Sequence, residues 1–307
     1  MAQTTGTFSQ LHDNTDRLIY VMLDRELKRL KPIWKRYTDI MDSERETEIS
    51  LGGVGFDDVP EKPQGQPYAS AVLRPGHEKR VTHTEFGYMF DVTQAALEDD
   101  LHKQLKKHAM WFMFSANYVQ EKRAANLFNN GFTTETTADG LSAFNTAHVL
   151  AGSGGTFRNR PSSDVALSWN SLRDAITDLS TETKHDSGQL AMAVEDLYLI
   201  VPPALEMLAD RIVNSTLLPG TDANDRNSVK ARRNIEVVVN PLFTDTNAWF
   251  LLAKNKDLHG CKAYERIPIT VEETLLDTRT RNRGTPVRFR TSWFWLNPQN
   301  AWGTAGA

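Results

Sequence analysis

The chain has 307 residues, 40% hydrophobic and 24% charged, and a formal net charge of −4. This balance excludes the global basic footprint by which a protein tracks duplex DNA, so only a local basic patch remains open to nucleic acid. The single cysteine, Cys261, excludes a disulfide within the chain and fits assembly in a cytosolic environment.

The opening MAQTTGTFSQLHDNTDR has no basic region followed by an apolar stretch, and no apolar run approaches the ~18 residues a membrane span needs. A soluble chain made inside the cell is the expectation, with no membrane partner. Length favours about two domains.

Residues 16 to 41 place Leu18, Val21, Met22, Leu27 and Leu30 at helical spacing, and Pro32 interrupts the pattern. An amphipathic arm is expected there. Residues 50 to 80 are punctuated by glycine and proline, from Gly52 to Gly76, and hold few large apolar side chains. Such a stretch cannot build its own core. Tyr68 to Leu73 reads as one short strand, and the segment RVTHTEFGYMFDV alternates so that Phe86, Tyr88 and Phe90 share one side. The expectation is an extended two-stranded loop that returns to the body.

From Thr93 to Asn130 neither glycine nor proline occurs, and Leu97, Leu101, Leu105, Ala109, Phe112, Ala116 and Val119 follow one helical stripe. This predicts one helix on the order of 50 Å long, capped by Asp91 or Thr93 and stopped by a left-handed Asn130-Gly131 turn. Ser168 should cap a second helix lined by Leu172, Ile176 and Leu179. Leu197 to Val201 is a strand covered on both faces. Pro202 ends it, Pro203 opens a helix, and Leu205, Leu208, Ala209 and Ile212 form that helix's stripe. A polar loop over 214 to 233 ends in Lys230, Arg232 and Arg233. NIEVVVNP and NAWFLLA are further strands, and in TPVRFRTSWFWLNP Val287, Phe289, Trp293 and Trp295 alternate with Arg288, Arg290 and Ser292. The class is α+β, with segregated elements.

Candidate chemistry is sparse. His77, Glu78 and His83 lie in strand-like sequence at the wrong spacing for a zinc helix, and His102 and His108 fall on different helix faces. Residues 151 to 156, AGSGGT, and the run Leu51 to Phe56 lack the Lys-Ser/Thr pair of a phosphate cradle. Nothing local activates Cys261, and it pairs with His148 only if folding joins them. The Val201 to Ala204 corner has prolines where a nucleophile elbow places its serine, so it reads as scaffold. Arg279, Arg281, Arg283, Arg288 and Arg290 form a basic strand that contacts nucleic acid, faces solvent, or pairs with acidic groups of a neighbouring subunit. No catalytic, cofactor-binding or metal-ligating residue is assigned, no cofactor is expected, and the chain is read as not an enzyme.

The order of elements, with Phe144-Asn145-Thr146-Ala147-His148 after Asp139-Gly140, and Leu199-Ile200-Val201-Pro202-Pro203-Ala204-Leu205-Glu206 at the corner, resembles the major capsid proteins of tailed bacteriophages with the Hong Kong ninety-seven-type fold. It looks closest to the Mu-like major head subunits. The resemblance implies an N-terminal arm over 1–50 and an extended β-hairpin loop over 51–92 lying across a neighbour. It implies a peripheral domain from 93–162, carrying the spine helix, with 266–307, and an axial domain over 163–265. It further implies pentamers and hexamers of self in an icosahedral virion shell around double-stranded DNA without sequence-specific contact. Portal and decoration proteins would be partners, and assembly would take place in the host cytoplasm. No scaffolding domain precedes the arm, so a separate scaffolding protein is expected. Some relatives join subunits by a Lys–Asn bond; Lys62 and Lys79 lie in the loop, but no motif carries that bond over. The alternatives are an encapsulin-like compartment, a soluble hydrolase using His148 or Cys261, and a nucleic-acid-binding module.

Overall fold

The computed structural model describes residues 5–56, 58–72, 74–99, 102–190, 195–217, 226–256 and 259–307. Helices α1 (Thr5–Arg29) and α2 (Trp34–Tyr37) come first, then strands β1 (Asp39–Asp42), β2 (Thr47–Gly53), β3 (Pro75–Thr82) and β4 (Glu85–Val92), then helices α3 (Gln94–Glu98) and α4 (His102–Asn129). Next are β5 (His148–Val149), β6 (Thr156–Phe157), α5 (Trp169–Thr181), β7 (Asp196–Val201), α6 (Glu206–Asn214), α7 (Ser228–Arg232), β8 (Asn234–Val239) and β9 (Trp249–Ala253). Strands β10 (Cys261–Val271), β11 (Leu275–Leu276), β12 (Arg283–Trp295) and β13 (Ala301–Thr304) follow.

Two larger sheets organise these elements. One has the order β13-β9-β7-β8 and the other β1-β10-β12-β11, with β4 also paired to β12. In the first, Phe250 and Leu252 of β9 enter an aromatic core while Trp249 and Leu251 enter a second core under α5 and α6. Coverage on both faces is why β7 and β9 read as unbroken apolar runs. The aromatic core joins the two sheets. Phe128 and Phe144 each meet Trp295 edge-on, with centroids 5.5 and 5.3 Å apart, and the Trp295 indole N–H donates to the Leu127 carbonyl at 3.1 Å. A buried indole needs that partner. A third core packs α1 and the first half of α4 against β4 and β12.

Local signals explain the joints. Ser168 and Ser171 form a reciprocal capping box at the start of α5. Pro202 is extended and Pro203 begins a short 3-10 turn that leads into α6. At the break after α1, Glu121 of α4 accepts the backbone N–H groups of Ile33 and Trp34, so the arm is fastened to the long helix where the start of α2 leaves donors free.

Several expectations require correction. The long helix is not continuous from Thr93: Thr93 caps α3 through a 3.2 Å bond from Ala96 N–H, and α3 closes at Asp99 with helix-ending dihedrals. The remaining helix, α4, is about 42 Å long. The Leu97 side chain and all of Leu101 lie outside the described residues. Gly131 is not left-handed. It is small because a Cβ there would lie 2.8 Å from the Phe144 ring and 2.9 Å from the Leu127 carbonyl.

In α1 the buried stripe is Ile19 and Leu23, while Leu18 and Val21 face out. Residues 18 to 23 are apolar on every side, so periodicity does not choose a face. Leu208 is likewise exposed, and Val213 takes the buried place. Residues 68 to 72 form no strand, because the partner of β2 is β3, with Thr47 opposite Thr82 and Gly53 opposite Pro75. In the expected loop over 214 to 233, Asn227 caps the short helix α7.

Candidate functional site

Several of the polar residues singled out in the sequence are engaged in holding the fold. His148 is fully buried, stacks on Phe157 and sits with Nδ1 2.8 Å from Oδ2 of Asp139. Asp139 also accepts from the Thr137 hydroxyl and from the Leu141 and Val149 N–H groups. Burial raises the Asp139 carboxyl, but bonds from His148 and Thr137 outweigh it and hold the group well below the usual carboxylate range. The pair therefore locks the turn that inserts Phe144 into the aromatic core.

Cys261 is also fully buried, in the aromatic core, and among the described residues its sulfur has one hydrogen-bond partner, Thr38 Oγ1 at 3.8 Å. Burial pushes its thiol up to about 12, the reverse of what a nucleophile needs. His77 meets the Val149 carbonyl at 3.1 Å, while His83 sits between Ser43 and Ser292, at 2.7 and 3.1 Å. These two histidines share no ligand geometry. His108 packs edge-on against Trp111, and the His102 side chain lies outside the described residues. Among the described residues no group of three His, Cys, Asp or Glu could hold a metal.

The glycine turn between β5 and β6 points its N–H groups at an acid. Ala151 donates to Asp186 Oδ1 at 3.3 Å, and Gly152 and Ser153 both donate to the Asp186 carbonyl at 3.1 Å. An anion there would meet a carboxylate. In the basic strand, Arg283 is 2% exposed and donates to Asp16 at 2.6 Å, while Arg288 pairs with Glu85 and Glu272. These partners are in the same chain, where the sequence pointed to nucleic acid, solvent or a neighbouring subunit. Arg279 and Arg281 remain on the surface.

What the chain leaves incomplete is apolar. The stem of the extended loop is anchored: Lys79 donates to Thr136, and Gly76 lies so close to the Gly52 carbonyl that no side chain fits. Beyond the stem, residues 56–72 make one backbone–backbone bond among the described residues, Gln66 N–H to the Pro63 carbonyl at 3.2 Å. Phe56, Val59, Tyr68 and Val72 are exposed there, Val59 by 95%. On α4, Met110, Trp111, Phe114 and Tyr118 form an exposed ridge opposite the buried stripe. The sequence reading followed a single stripe and missed this ridge. The signal was present in the run MWFMF, which is apolar all round.

The phage capsid protein family matches residues 78–302 of this sequence. The chain belongs to that family. Among solved structures, this capsid protein is similar to the capsid of cyanophage P-SCSP1u, with 10% identity and a TM-score of 0.58 over 90% of this chain and 88% of that one. It is also similar to the capsid of the native GTA particle, with 10% identity and a TM-score of 0.54 over 91% and 92%. A third likeness is to the virus-like particle from Pyrococcus furiosus, with 10% identity and a TM-score of 0.51 over 94% and 98%. No curated protein matches the sequence. The α+β fold is that of the Hong Kong ninety-seven-type capsids. The capsid protein is a major capsid shell protein, a structural component of the virion that assembles with copies of itself.

Proposed function

We propose that this capsid protein is the major head subunit of a tailed bacteriophage or prophage, closest to the Mu-like group, and that its pentamers and hexamers close an icosahedral shell around double-stranded DNA. The family match across residues 78–302 carries the reading. The uncovered segment 56–72 supports it, since surface left bare in one copy is what a heterologous contact in a closed shell covers. Residues 1–50 act as the arm and 51–92 as the extended loop across a neighbour. Residues 93–162 with 266–307 form the peripheral domain and 163–265 the axial one, with β13 docked on the axial sheet through β9. The net charge of −4 fits a lining that does not grip the packaged DNA. A separate scaffolding protein, a portal and decoration proteins are the further partners, and assembly takes place in the host cytoplasm.

Negative-stain microscopy of the purified protein tests the reading, with closed particles of icosahedral outline as the expected result. Nuclease-protected DNA in particles taken from lysed host cells separates a phage head from a compartment that holds a cargo enzyme. A monomer at high concentration would overturn the proposal.

A further inference from the structure

The face of the larger sheet turned away from α4 holds two arginines that the chain itself leaves unanswered. Val287 and Phe289 of β12 face α4, so strand alternation puts Arg288, Arg290 and Ser292 on the other side. The pairing of β10 with β12 slips at this point. Glu265 stands opposite Thr291 and Ile267 opposite Arg290, which makes Arg266 the extra residue of a β-bulge. A bulge re-aims the side chain it inserts. Arg266 and Arg290 both act on one imidazole, that of His83.

His83 is fixed in place. The hydroxyls of Ser43 and Ser292 lie 2.7 and 3.1 Å from its two ring nitrogens, and Tyr264 meets it edge-on with centroids 6.0 Å apart. Burial, followed by the charges of Arg266 and Arg290, holds the imidazole below its ordinary value, while Glu48 pulls the other way.

The acids of the neighbourhood are already engaged. Arg288 takes Glu85 and Glu272, and Lys35 takes Glu265. Glu48 accepts from the Ser43 hydroxyl at 2.9 Å and from the Arg45 N–H at 3.2 Å. Neither the Arg266 nor the Arg290 side chain has a hydrogen-bond or ion-pair partner among the described residues. Nη1 of Arg266 and Nε of Arg290 are enclosed, which holds the two groups where they stand. Both residues are half-buried, and their remaining guanidinium nitrogens are open to solvent. Neighbouring cations without an anion repel each other. The planar fork of an arginine matches the paired oxygens of a carboxylate or phosphate.

We propose that Arg266 and Arg290 form a binding site for an oxyanion, a phosphate or carboxylate group bridging the two guanidinium forks. The site lies within one chain and stands whether or not the chain builds a shell. A free inorganic anion and an acidic side chain of a neighbouring copy offer the same chemistry, and the test separates these two sources.

Inorganic phosphate is titrated into the full chain, as isolated subunits and as particles, with chloride holding the ionic strength constant. By equilibrium dialysis the subunits should take up about one phosphate per chain, half-saturating on the order of 1 mM. The double variant Arg266→Gln with Arg290→Gln should bind at least tenfold more weakly. The His83 imidazole, followed by nuclear magnetic resonance and assigned by its loss in His83→Asn, should titrate at a higher pH with phosphate bound. The anion offsets the two charges that hold the ring down. Particles that bind phosphate as the subunits do assign the site to a free anion. Particles that exclude it assign the site to a carboxylate of a neighbouring copy. Equal binding by parent and double variant overturns the site, and so does a His83 titration in the parent that phosphate leaves unmoved. That last measurement needs no change to either arginine, so a double variant that fails to fold leaves the outcome decided.

Discussion

Oδ2 of Asp139 lies 2.8 Å from Nδ1 of His148, and neither side chain has more than marginal solvent exposure. This pair closes the turn that carries Phe144 into the core between the two sheets. Removing either partner leaves the other buried without its counterpart, which costs on the order of 3 kcal/mol. Denaturant titration of Asp139→Ala and His148→Ala should show a loss of that size. Exposed Lys106→Ala should stay within about 0.5 kcal/mol of the parent.

The same carboxylate gives the fold an acid limit. Because the folded state holds Asp139 below its ordinary value, its contribution is complete above the unfolded carboxylate pKa of ~4 and is lost as pH falls toward the folded value. Thermal melts from pH 6 down to pH 2 should therefore decline less steeply for Asp139→Asn than for the parent. Parallel profiles would contradict this.

Cys261 sets a limit on the alkaline side. Its thiol is raised to about 12 by burial, so its contribution is complete below the unfolded value of ~8.5 and fades as pH rises from there toward 12. The thiol should resist maleimide at pH 8 in the native protein and react in full once denatured. Rapid native labelling would contradict its placement in the aromatic core.

Arg283 and Arg279 separate structure from surface charge. Arg283→Ala leaves Asp16 without its buried partner and should cost about 3 kcal/mol, with α1 becoming accessible to limited proteolysis. Arg279→Ala should be close to neutral. If the segment instead bound nucleic acid through its charge, both changes would lower the salt dependence of DNA binding by similar amounts.

Deleting residues 56–72 should yield a chain that folds and does not assemble. The stem keeps its register from Thr47–Thr82 to Gly53–Pro75, and the described residues of the deleted part make a single backbone–backbone bond. Far-ultraviolet circular dichroism close to the parent's, together with loss of particles by microscopy, is the expected pair of observations.

The sequence was most readable where one physical cause acted alone. The Ser168 cap, the Pro202-Pro203 corner and the doubly covered strand β7 each follow from a local rule, and each lies where that rule puts it. It was least readable where apolar residues surround a helix. Residues 18 to 23 and the run MWFMF satisfy several faces equally, and only packing against β4 and β12 selects Ile19, Leu23, Phe112 and Met113. Chemistry was overcounted for a related reason: histidine, cysteine and arginine look reactive in isolation. Their partners, Asp139 for His148 and Asp16 for Arg283, come from elsewhere in the chain, and for Arg283 from its opposite end.

The pairing of β1 with β10, Asp39 opposite Lys262, sets a clock on the molecule. A parallel contact across so long a stretch forms late, because the intervening polypeptide must first be restrained. During synthesis, the ribosome must release residues near 270 before this strand can be laid down. The larger sheet, which also needs β12 as far as Trp295, is therefore complete only when nearly the whole chain has been made.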